Sequence, residues 1–232
     1  MPEPIVADVL AVRLFEVVAF GLFAFGWWYA LRTRSMIVLG GYVGATLTVV
    51  FDWMFNTKWF FNVLYSSNFI PLFRIGDTVQ PVALLFTYAF FFGIPTAFLA
   101  RNRAWLDRRF GTWGWLVVFL GMGVLQPLFE IPMVSWLHLW TYYQAPQYLV
   151  GGVIWSNIWF SGLLGVSCYG ALRLALRWED TNRLPQNPTE DKLRQLATGA
   201  AGIWSAFYLS TLVQLMLWYA VVTPWISSPR DF

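Results

Sequence analysis

Six long apolar segments constrain this chain more than anything else in it; they lie at roughly residues 6–31, 36–57, 80–100, 112–135, 148–176 and 197–222. A helix needs about 20 residues to cross about 30 Å of hydrocarbon, and each segment supplies that length. In lipid every backbone N–H and C=O must be satisfied within the protein, and at these lengths the helix is the spanning form that does so. The expected fold is therefore an all-α integral membrane protein, a bundle of about six transmembrane helices. One polytopic transmembrane domain covers residues 1–232, since no stretch of different composition is large enough for a soluble domain. The N-terminal MPEPIVADVL is acidic and lacks the basic region and small-residue cleavage site of a signal peptide, so the first span is expected to be retained.

Charge is scarce, at 12% of residues against 58% apolar, and its placement predicts topology. Arg32 and Arg34 follow span one and Arg101, Arg103, Arg108 and Arg109 follow span three. Arg173, Arg177, Arg183, Lys192 and Arg194 surround the connection after span five. Basic residues in short connections mark the cytoplasmic side. Both termini are thus expected outside, together with the connections 58–79 and 136–147. The net charge of +3 comes from these loop arginines without a long basic run, which excludes nucleic acid as a partner. Arginine so far in excess of lysine points to a bacterial source and its cytoplasmic membrane. The segment WEDTNRLPQNPTEDKLRQ reads as a solvated loop. Cys168, the single cysteine, sits in an apolar segment as a small core residue.

Three carboxylates fall inside the spans: Glu16, Asp52 and Glu130. An ionised carboxylate at mid-membrane costs several kcal/mol, so such groups face the protein interior, find a partner or hold a proton. Glu16 has Arg13 one turn before it and is expected to pair with it. Asp52 and Glu130 have no cation three or four residues away. Counting about 1.5 Å per residue from the cytoplasmic ends, Asp52 lies about 24 Å along span two and Glu130 about 27 Å along span four. The matched depth lets one cavity receive both. In QPLFEIP, Pro127 and Pro132 each remove a helix hydrogen bond, which is expected to break the helix beside Glu130 and free the carbonyls of Gly123 and Leu128.

Each acid is followed by aromatic residues: Trp53, Phe55, Trp59, Phe60, Phe61 and Tyr65 after Asp52, and Trp136, His138, Trp140, Tyr142 and Tyr143 after Glu130. They suit an interfacial belt, and they equally suit a cavity wall whose ring faces stabilise positive charge. The distance from acid to the glycine before the next span is 24 residues in one case and 22 in the other, which fits an internal duplication of helix-loop-helix halves. Polar groups also occur at depth in span five (Ser156, Asn157, Ser161) and span six (Ser205, Tyr208, Thr211, Gln214), as interhelical contacts or as part of a site. The candidate catalytic residues are Asp52 and Glu130. The candidate substrate-binding residues are Asn56, Trp59, Asn62, Trp136, His138, Tyr142, Tyr143, Asn157, Tyr208 and Gln214, while Lys58 reads as a snorkelling interfacial residue.

The sequence carries no HExxH, no DxxxD magnesium pattern, no Ser-His-Asp order and no glycine-rich phosphate loop, so no metal and no cofactor is expected. A carboxylic acid held neutral in an apolar pocket can act as a general acid, and a second carboxylate can take up a proton or stabilise a cation. That pairing suits cyclisation, isomerisation or hydration of a lipophilic molecule.

DWMFNTKWFFNVLY, with its acid, aromatic-rich FN…W…N…Y stretch and following glycine, resembles the half-domain of the membrane lycopene cyclases. FEIPMVSWLHLWTYY is similar to the E-x-P…Y-x-Y pattern of AveC-like membrane spirocyclases and related carotenoid hydratases. The resemblance covers about residues 40–160. The chain departs from the lycopene cyclases where they carry Pro-x-Glu-Glu at the start of a span, because it reads Gln80-Pro81-Val82-Ala83. The resemblance implies a small helical membrane cyclase or isomerase acting on an isoprenoid or polyketide-like substrate, with the acid-base role on Asp52 and Glu130. The competing expectation is a non-catalytic lipophile-binding protein or an accessory subunit. Membrane lipid and a hydrophobic small molecule are the expected partners, and a homo-oligomer and a membrane complex are both compatible with the sequence.

Overall fold

Six helices long and apolar enough to cross a membrane form the bundle: α1 (Val9–Arg32), α2 (Met36–Phe55), α3 (Val82–Arg101), α4 (Arg103–Trp136), α5 (Ser156–Thr181) and α6 (Pro188–Val221). The computed structural model describes residues 5–56, 61, 63–75, 78–143, 149–181 and 188–222. Three spans start well away from the sequence expectation, the fourth at Arg103 instead of 112. The fifth begins at Ser156 instead of 148, because residues 149–154 form a hairpin. The sixth begins at Pro188 instead of 197, so much of the stretch expected as a solvated loop is helix. Polar residues do not prevent this, since Glu190 and Asp191 in the first turn suit the positive end of the helix dipole.

Local chemistry sets the helix starts. The Asp8 side chain accepts from the N–H of Ala11 at 3.0 Å and Ser35 accepts from Val38 at 3.3 Å, each satisfying an end group that would otherwise be orphaned. Helix α2 is the most enclosed span, and it lies against α6 at a distance that side chains would prevent. A Cβ at Gly40 would collide with the Leu196 carbonyl, and one at Gly199 with the Ile37 carbonyl. Small residues at such crossings let backbones approach closely, which is how helices gain contact where lipid offers no hydrophobic drive. Beyond Gly111, whose φ is +53°, α4 runs against α5. Arg173 on α5 holds Asp107 through two bonds of 2.7 Å and lies over the Trp115 ring at 5.7 Å.

The expected break at Pro127 does not occur: α4 continues through it to Ile131 and then widens into a π turn at Pro132–Trp136. A similar π turn in α3, at Ala89–Gly93, precedes Pro95. One extra residue per turn absorbs the hydrogen bond that proline cannot donate, so the helices stay continuous. Helix α2 tightens into a 3₁₀ turn at Thr48–Phe51 immediately before Asp52.

The connections at the end opposite the arginine-rich loops are not irregular. Strand β1 (Val63–Tyr65) pairs antiparallel with β4 (Trp140–Tyr142), Val63 opposite Tyr142 and Tyr65 opposite Trp140. Strands β2 (Pro71–Ile75) and β3 (Thr78–Pro81) form one hairpin, and β5 (Leu149–Val150) and β6 (Val153–Ile154) another. Gly151 and Gly152 supply the two left-handed residues that a tight two-residue turn demands. The N-terminal segment is tied to this layer through Ala7 N–H to Ser66 Oγ at 3.0 Å and Asn68 Nδ2 to the Ala7 carbonyl at 2.7 Å. Buried Leu139, Ile154, Phe61 and Val63 pack the ribbons onto the helix ends as a second core.

Candidate active site

Side chains alternate across a strand, so Val63, Tyr65, Trp140 and Tyr142 share the face of the β1–β4 ribbon turned toward the helices. All four line one cavity of about 90 Å³, together with Asp52 and Glu130. The walls are apolar rings and aliphatic groups, Phe55, Phe61, Leu84, Phe91, Phe92, Phe129, Phe160, Leu164 and Phe207 among them. The two acids are 3% and 6% exposed, so the protein, and not lipid or bulk water, surrounds them.

Each carboxyl group is held by neutral donors. Asp52 Oδ1 accepts from the Tyr88 hydroxyl at 2.6 Å, and Oδ2 from the Tyr65 hydroxyl at 2.9 Å and Asn56 Nδ2 at 3.0 Å. Glu130 Oε1 accepts from the Tyr142 hydroxyl at 2.8 Å, and Oε2 from Asn157 Nδ2 at 2.6 Å. Asn157 Nδ2 also reaches the Tyr142 oxygen at 3.0 Å, and the Gln126 side chain, one turn before Glu130, bonds to its carboxyl as well. Among the described residues no arginine, lysine or histidine lines the cavity. Two acids without a counter-ion, hydrogen-bonded on both oxygens, make a site that favours a proton or a positively charged guest.

The ribbon tyrosines report on the same field. Burial pushes the Tyr142 phenol well above its ordinary range, and the charges of Glu130 and, more weakly, Asp52 push it further. Tyr65 is raised by burial first and then by Asp52 beside it. Both phenols therefore remain protonated donors. The two acids arrive from α2 and α4, their tyrosines 13 and 12 residues downstream meet in one ribbon, and α3 and α5 add Tyr88 and Asn157.

The sequence-derived candidates divide. Asp52, Asn56, Glu130, Tyr142 and Asn157 come together here. Trp136, 74% exposed, and exposed His138, in the left-handed region with φ +52°, do not line the cavity. Tyr143 is half-buried at the end of β4, also outside the lining. Tyr208 on α6 stacks on Phe51 of α2 with centroids 4.8 Å apart, an interhelical contact, whereas Gln214 donates to Ser210 Oγ at 3.1 Å one turn back on α6 itself. Lys58, Trp59 and Asn62 lie outside the described residues. Glu16 pairs with Arg13 as expected and also accepts from the Ile70 N–H at 3.0 Å, which fastens α1 to the ribbon layer.

Sequence reasoning missed Tyr88 and Gln126 and took Tyr65 only as one ring of a stretch that suits an interfacial belt or a cavity wall. Gln126 carried a usable signal, a polar residue four positions before an acid in an apolar run. Gln80 was also missed: it is fully buried at the end of β3, and neither amide atom has a hydrogen-bond partner among the described residues.

Fold and site define a class: a polytopic helical membrane protein with two carboxyl groups, without a counter-ion among the described residues, in an aromatic cavity beneath a strand ribbon. No family model, curated protein or solved structure matches the chain.

Proposed function

We propose that the chain is a membrane cyclase or isomerase that uses Asp52 and Glu130 for acid-base chemistry on a lipophilic isoprenoid or polyketide-like molecule. The observation that carries this reading is the convergence of both carboxyl groups on one aromatic cavity with no cation among its described lining residues. A carrier or accessory subunit needs no such pair, because two unpaired buried acids weaken a fold unless the site uses them.

Glu130 is the proton donor in this proposal. Two of its partners, Gln126 and Asn157, are amides, which can turn to accept from a protonated carboxyl. Asp52 holds two phenolic donors, which suit a carboxylate. Proton transfer from Glu130 to an olefinic or enol carbon creates a cation facing the cavity rings and Asp52. A neighbouring double bond or hydroxyl of the same molecule closes on that cation, and loss of one proton to Asp52 restores neutrality. Asp52 then releases its proton to solvent and Glu130 takes one up, which resets the pair; one proton enters and one leaves, so the net change is an isomerisation. The aromatic faces and the carboxylate stabilise positive charge where it develops.

The resemblance of residues 40–160 to membrane cyclases points the same way. The arginine-rich end is assigned to the cytoplasm of a bacterial cell and the ribbon end to the outer face. The test compares the lipid extracts of cells expressing the native chain, Asp52→Asn and Glu130→Gln at equal folded amounts. A product present with the native chain and lost with both variants supports the proposal; an identical extract from all three leaves the carrier as the better reading.

A further inference from the structure

The acid cavity, at about 90 Å³, is well below the roughly 300–1,000 Å³ of sites that enclose a drug-sized ligand. A lipophile processed there can place only one end inside. A second concavity, of about 360 Å³, lies between α1, α3 and α4, and apart from Asp8 at its rim its lining is wholly apolar. Phe15 and Phe129 line both spaces. Their rings, 6.0 Å apart between centroids, are the partition between the acid cavity and the groove.

The groove faces the bilayer. Leu10, Leu14 and Val18 along it are 67%, 57% and 58% exposed, a row of apolar side chains that only lipid would cover. From Leu10 to Leu22 it follows α1 for about 18 Å at 1.5 Å per residue. From these dimensions we infer that the groove is the tail-binding site and lateral entrance of an elongated membrane lipophile, whose reactive end passes between Phe15 and Phe129 to the acids. The inference rests on the catalytic reading of the cavity and adds the shape of the substrate: a small reactive end on a long apolar chain, taken from the membrane and not from water. The continuity of the two spaces through shared rings distinguishes this groove from the rest of the apolar perimeter. Phe15 and Phe129 meet as tilted rings, and a passage between them also shifts Phe15 against Phe69 and Trp140 and Phe129 against Phe90 and Phe91.

Photolabelling tests this without requiring turnover. The full chain in liposomes is irradiated with hexadecanol bearing a terminal diazirine, and adducts are mapped by mass spectrometry. Expected adducts concentrate on peptides carrying Phe15, Phe129 and Leu164, above those on the lipid-facing Leu209 and Val213 of α6. Ala11→Trp, which fills the groove at a position outside the lining of the acid cavity, lowers the Leu164 adduct about tenfold, a loss of about 1.4 kcal/mol of binding, and leaves Val213 unchanged. Val18→Trp, at a half-exposed position, provides the same block if Ala11→Trp does not fold. Phe15→Ala raises the Leu164 adduct. Equal labelling of groove and α6, or a Leu164 adduct that ignores both tryptophans, overturns the inference. Groove labelling that persists while Asp52→Asn leaves the lipid extract unchanged retains the tail site and removes the catalytic reading.

Discussion

Tyr88 shows what a single hydroxyl does in this interior. It gives Asp52 Oδ1 its 2.6 Å bond, and no other described donor is seen on that oxygen. Tyr88→Phe keeps the ring and removes the donor, so we expect a loss of about 1–3 kcal/mol in stability, read as a lower unfolding midpoint in detergent, because a hydrogen bond to a buried acid is withdrawn. An unchanged midpoint would mean that Asp52 finds a substitute donor. Gln80 predicts the opposite sign. Its amide is buried without partners among the described residues, so Gln80→Leu should raise stability by about 1–2 kcal/mol as the desolvation penalty disappears; a fall in stability would reveal a partner for that amide. Asp52 and Glu130 stood out in the sequence because no cation lay one turn away from either. Tyr88 could not be singled out, since it sits in TYAFFFG, where one more ring is unremarkable and only its position before the π turn turns the hydroxyl inward.

Helix identity was legible from length and hydropathy alone, whereas the connections were not. The ribbon β1–β4 joins residues 63 and 142, and a pairing across that separation leaves little local pattern beyond two short alternating stretches. The π turns explain why the residues after Glu130 were assigned together and then separated. Wider turns change which way each side chain points, so Trp136 goes outward while Tyr142, after the chain reverses at Leu137–Leu139, returns to the cavity. The α2–α6 crossing carries its own prediction. Gly199→Ile inserts a branched side chain against the Ile37 carbonyl and should destabilise the bundle by at least about 2 kcal/mol, since an overpacked contact between two backbones cannot relax by a rotamer change. Thermal unfolding of the purified variant checks this, and a native midpoint would show that the helices separate freely.

At the scale of the whole molecule, most of the arginines, though not Arg13 and Arg74, gather at one end of six helices and the carboxyl cavity lies at the other. In a Cys168→Ser background, a membrane-impermeant maleimide added to spheroplasts should label Ser67→Cys in the ribbon layer and spare Arg108→Cys. The reverse pattern would invert the assigned orientation. In the proposed reading, the groove that shares Phe15 and Phe129 with the cavity is the route by which a bilayer molecule would reach the two acids. Solvent-deuterium incorporation tests the central claim most directly. With deuterium oxide as solvent, the product made by the native chain should carry one added deuterium at the carbon protonated by the site. Glu130→Gln and Asp52→Asn, folded and inserted in equal amounts, should form neither the product nor its labelled form. A product that gains no deuterium, or that both variants still make at the native rate, would contradict the account.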